Sequence, residues 1–111
     1  MGLREIIEEI TSMLEPAEVM LLFKLTEMSQ KDRSEFLERR AAPEVGLALA
    51  AFSKGELDLE GTVALNRIML ECHLGLIADR INGKEDSQAF FADSDLVFVT
   101  RQIVKTMRRL S

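Results

Sequence analysis

The chain has 111 residues, of which 47% are apolar and 30% charged, and its 19 acidic and 14 basic side chains leave a formal net charge of −5. That length suits one ordinary domain, read as residues 1–111, and the composition lies outside the regime of disordered chains. The acidic balance works against general attraction to nucleic acid or anionic lipid, and one cysteine excludes an intrachain disulfide.

Four glutamates by position 15 break any basic-then-apolar leader pattern. The longest apolar stretches, Val19–Phe23 and Val45–Phe52, are far too short to span a bilayer. A disulfide-free domain held together by packing is expected in the cytoplasm.

Helical spacing opens the chain. Leu3, Ile6, Ile7, Ile10, Met13 and Leu14 repeat at helical intervals, with Glu5, Glu8, Glu9 and Ser12 opposite, which predicts a first helix over 2–15. Pro16 suits the first turn of a second helix, where its missing N–H costs nothing, and that helix continues through Val19, Met20, Leu22, Phe23 and Met28. Ser29 and Asp32 have capping-box spacing for a third start. The third helix is expected to be short and polar, with Phe36 and Leu37 as its main apolar residues, and to stop near Pro43.

From Val45 to Phe52 the chain is apolar on every side, so this next helix needs a core or a partner to cover it, and Gly55 is its expected stop. The longest periodic run, 59–82, ends at Gly83 and reads as the central helix. Leu65, Met69, Cys72 and Leu76 follow four-three-four spacing there, with Ile68, Ile77 and Ile81 broadening the stripe, and this is the expected core face. Gly75 inside it costs about 1 kcal/mol relative to Ala and points to close helix packing.

Residues 84–95 read as a polar connection in which Phe90 and Phe91 tuck back onto the core. A last helix begins near Ser94 or Asp95 and carries Leu96, Val99, Ile103, Met107 and Leu110 on one face. The β-branched Leu96–Thr100 run could make a strand, but no second run exists to pair with it. The predicted fold is all-α: a compact bundle of about five or six helices, with homodimerisation the favoured way to complete it.

Chemistry is sparse. Glu71, Cys72 and His73 are adjacent, so on a helix they diverge, whereas converging ligands need spacings of three or four. Cys72 falls in the apolar stripe and is expected to be a small core residue. No nucleophile faces a base, and no glycine-rich phosphate loop is present. No catalytic residue, metal or cofactor is therefore expected.

Charge patterning supplies the remaining candidates. Residues 96–111 contain Arg101, Lys105, Arg108 and Arg109 and no acid, all on one side of the last helix. The plain explanation is cation placement at the negative end of a helix, facing the acidic first helix. The functional one is a contact strip. Together with the apolar Leu47, Leu49 and Phe52, this strip is the expected partner-binding surface of a non-enzymatic helical module such as an adaptor, regulator, export chaperone or small assembly subunit. The alternative is a dimeric DNA-binding regulator presenting Lys31, Arg33, Ser34, Arg39 and Arg40 to a groove, although Asp32, Glu35 and Glu38 alternate with them.

Overall fold

A computed structural model of the chain describes residues 3–55, 59–83 and 93–110. Five helices occupy them: α1 (Leu3–Met13), α2 (Pro16–Thr26), α3 (Gln30–Ser53), α4 (Leu59–Ile81) and α5 (Asp93–Leu110). Among the described residues there is no strand, so the all-α expectation holds, including the helical reading of Leu96–Thr100. No helix among them is long and apolar enough to cross a membrane. The expected folding-back of Phe90 and Phe91 lies outside the described residues.

The helix ends follow local chemistry. Pro16 takes the first position of α2, and the Glu15 backbone N–H donates to Glu18 Oε1 at 2.7 Å, which satisfies a donor that the helix leaves open. Ser29 caps α3, its hydroxyl oxygen accepting from the Asp32 N–H at 3.2 Å. Gly55 and Gly83 end α3 and α4 at φ +73° and +70°, left-handed values that favour glycine.

One expected break is absent. A single 24-residue α3 runs straight through Pro43 instead of two helices meeting there. Proline in a helix interior removes one backbone bond and crowds the preceding turn, at about 3 kcal/mol. Contacts with α4 on both sides of Pro43 hold the helix together. Arg40 pairs with Glu71 before it, Glu44 pairs with Arg67 just after it, and Ala48 is buried beyond.

These pairs also set the topology. Arg33 meets Asp79, Leu37 meets Gly75, Arg40 meets Glu71 and Glu44 meets Arg67, so one number rises as the other falls and the two helices are antiparallel. Glycine at position 75 permits this approach, since a Cβ there would lie 2.7 Å from Leu37 Cδ1. The expectation of close packing at Gly75 is met.

Helix α4 packs on α2, α3 and α5, and α5 packs on α1. The central place predicted for α4 is thus observed. The core joins Ile6, Ile10 and Leu14 of α1, Leu22 and Leu25 of α2, Leu70, Leu74, Ile77 and Ala78 of α4, and Leu96, Val97, Ile103 and Val104 of α5. Helix α3 adds the half-buried Phe36 and Leu37 near its start. Its second half lies against α4 beyond this core, which leaves the α3–α4 pair as a layer with an uncovered outer side.

Candidate functional site

The outer side of that layer is apolar, and its residues come from the stripe expected in the core. Met69 is 54% and Leu76 46% exposed, Leu65 is at the edge of exposure, and Cys72 is an exposed free thiol. The inward face of α4 is instead built from Leu70, Leu74, Ile77 and Ala78, with Gly61, Ala64 and Gly75 buried as well. This is a correction to the sequence reading, and its cause is that α4 carries two apolar faces, with Arg67, Glu71 and Asp79 between them on the side that meets α3. Periodicity could not choose between two apolar faces, whereas tertiary packing did: Gly75 lies against Leu37 of α3, Gly61 and Ala64 are buried, and the larger stripe is left outside.

On α3, Val45 and Leu49 are exposed, Leu49 by 63%. Measured around the helix from the line of contact with α4, they fall on the same side as the α4 stripe. An open groove of about 320 Å³ runs between the two helices on this side, lined by Leu37, Glu38, Ala41, Cys72, Gly75 and Leu76. Being open along its length, it is shaped for side chains of another surface more than for an enclosed small molecule.

The other expected binding residues divide. Leu49 lies on this outer face. Leu47 is exposed too, but two positions along a helix is a turn of about 200°, so it points to the opposite side of α3. The side chain of Phe52 lies outside the described residues. On α5, Arg101 pairs with Glu9 of α1 at 3.0 Å, and Arg108 Nη2 donates to the Met13 carbonyl at 3.1 Å. The plain explanation of the basic strip therefore accounts for these two residues: they tie the last helix to the first. Lys105 and Arg109 are exposed.

Cys72 and His73 part company, as adjacent helical residues must. Cys72 faces outward, and partial burial, reinforced by the neighbouring Glu71 carboxylate, pushes its thiol pKa up. At neutral pH it is a thiol, the opposite of an activated nucleophile. The expectation of a core cysteine is corrected along with the rest of the stripe.

His73 is buried against α5. Its Nε2 lies 2.8 Å from Thr100 Oγ1 and 3.0 Å from the Leu96 carbonyl oxygen. Thr100 commits its own proton to that carbonyl at 2.7 Å, so the ring N–H is the donor to both oxygens. Burial lowers the ring pKa, partly opposed by the bond to Leu96, and the imidazole is neutral. Among the described residues no group of three or more His, Cys, Asp or Glu could hold a metal ion.

Arg33, one of the residues a DNA-reading helix would present, is buried. Its Nε donates to the Leu25 carbonyl and its Nη2 to the Met28 carbonyl, each at 2.9 Å, and its Nη1 pairs with Asp79. It closes the C-terminal end of α2, adding to the 3.2 Å bond that the Leu25 carbonyl already accepts from the Met28 N–H. Arg40 is engaged with Glu71, and Lys24 and Arg40 lie over the Phe36 ring, at 4.8 and 5.6 Å from its centroid.

The sequence reading missed the outer face of α4. The signal that could have found it was the line of small residues at 61, 64, 75 and 78, which marks where helices meet. Comparison of the chain with known protein families, with curated proteins and with solved structures finds no match.

Proposed function

We propose that this chain is a non-enzymatic, cytoplasmic helical interaction module whose working surface is the outer face of the α3–α4 layer. The observation that carries this reading is the exposed stripe of Leu65, Met69, Cys72 and Leu76 beside Val45 and Leu49. The largest apolar patch on a soluble protein, commonly about 300–600 Å², is often its functional surface. Here the face lies on two long helices, so its natural partner is another helical surface laid along it. The module's role in an adaptor, regulator, export chaperone or assembly subunit follows from what it holds.

The reading is tested by capture of tagged protein from native lysate after nuclease treatment, with the partners identified by mass spectrometry. Retained protein that is lost with Met69→Glu and Leu76→Glu, and kept with Lys105→Glu and Arg109→Glu, supports the apolar face. Recovery of nucleic acid, with every partner vanishing on nuclease treatment, overturns it in favour of nucleic-acid binding.

A further inference from the structure

The outer face of the α3–α4 layer has the spacing of a bundle interior. Leu65, Met69, Cys72 and Leu76 are separated by four, three and four residues, and Ala42, Val45 and Leu49 on α3 by three and four. Averages of about 3.5 to 3.7 keep one side of a helix, its seam, against a neighbour over two to three turns. Two such seams lie side by side on antiparallel helices of nearly equal length, 24 and 23 residues. A two-helix layer with this surface is half of a four-helix bundle.

We propose that the occupant of this face is a second copy of the chain, the two α3–α4 layers packing face to face about a twofold axis as an antiparallel four-helix bundle. The proposal rests on the interaction-module reading above and specifies its partner. A single foreign helix would fill the central groove and leave both flanking seams wet. An identical layer meets both seams at once, and a twofold contact presents the same patch from each side.

Area and charge set how strongly this occupant binds. The exposed parts of Val45, Leu49, Leu65, Met69 and Leu76 together leave on the order of 400 Å² of apolar surface in water. That is about half of the roughly 800 Å² that each partner buries in a standard interface, which sets the contact at the small, weaker end of specific dimers. Each copy carries a net charge of −5, which would oppose self-association over most of the surface. However, no charged residue occurs from Val45 to Ser53 or from Gly61 to Asn66, so the layers meet there without like-charge contact. At the other end of the face Glu38 lines the groove beside Leu76, so the apolar match is made at the Val45–Ser53 and Gly61–Asn66 end.

Sedimentation of the full chain over a concentration series reads the outcome directly. The expected species has twice the 12.5 kDa chain mass. Leu49→Glu and Met69→Glu are each expected to raise the dimer dissociation constant by about 100-fold or more, with helical circular dichroism unchanged because both positions are exposed in the single chain. Leu47→Glu, on the other side of α3, is expected to leave the dimer intact. The sole cysteine provides a second measurement on unmodified protein: Cys72 should react with a thiol reagent more slowly as concentration rises through the dimer range. A wild-type chain that sediments as a monomer at about 100 μM, well above the micromolar range of specific complexes, with Cys72 reactivity independent of concentration, overturns the second copy as occupant. If that monomer still captures a protein through Met69 and Leu76, the interaction-module reading survives; if it captures nothing through them, both fail.

Discussion

Leu76 and Ile77 are neighbours with opposite environments, and the contrast gives the sharpest single-residue test of α4. Ile77 is 2% exposed among Leu74, Ala78 and the rest of the core. Ile77→Asp is expected to abolish cooperative unfolding, because an unpaired carboxylate would have no partner there. Leu76→Asp should give a soluble protein with the same helical content, measured by circular dichroism during thermal denaturation. The sequence reading assigned both to the core and was right about one. Arg33 is the second test at this scale. Arg33→Ala removes the bonds to the Leu25 and Met28 carbonyls and leaves Asp79 without its cation. The expected loss is about 3–5 kcal/mol in urea denaturation. From sequence, Arg33 looked like one more charge on a solvated face, since nothing local distinguishes it from Arg39. Its role comes from Asp79, 46 residues away.

At the scale of elements, α3 is held in a shape that its own sequence opposes. Pro43→Ala restores the backbone bond to the Arg39 carbonyl and removes the ring's crowding, at some cost in unfolded-chain restriction. The net effect expected in urea denaturation is a gain of about 1–2 kcal/mol. No gain would mean that α3 and α4 pack around a bend that the proline supplies. The α4–α5 contact carries the pH dependence. Burial lowers the His73 pKa below its ordinary value near 6.5. At higher pH both folded and unfolded chains hold a neutral ring, and the full stability is present. Below about 6.5 the unfolded chain takes up a proton that the folded ring resists, so stability falls as pH drops towards the folded-state pKa. The melting temperature should therefore be lower at about pH 5.5 than at about pH 7.5, before most carboxylates titrate. His73→Gln should flatten this part of the profile, because the amide can still donate to Thr100 or Leu96 but has no proton to gain.

For the whole molecule, α1, α2, α4 and α5 build the core, and α3 extends α4 into a layer with one side free. The basic side of α5 is partly absorbed into this architecture through Arg101–Glu9 and Arg108–Met13. The apolar side of the α3–α4 layer is not, and the molecule's association behaviour is expected to reside there. If two copies cover it, folding and association are linked by mass action, and the melting temperature should rise with protein concentration for the wild type but not for Met69→Glu. Differential scanning calorimetry at two concentrations about a hundredfold apart, a factor worth about 2.7 kcal/mol in chemical potential, checks this.

The sequence by itself determined the all-α class and the places of most helix ends. Those features depend on local chemistry: the 3.6-residue spacing of α1 and α5, proline at the start of α2, a serine cap on α3, and glycines at the ends of α3 and α4. Only the tertiary structure decided which face of α4 lies inside, that α3 passes through Pro43, and that Arg33 and His73 serve the interior. Each of these is settled by groups far apart in the chain. A helix with two apolar faces has no preferred inner one until a neighbour packs against it. A proline is tolerated only when contacts on both sides offset its cost, and a buried charge or imidazole is acceptable only where a distant carboxylate, carbonyl or hydroxyl meets it.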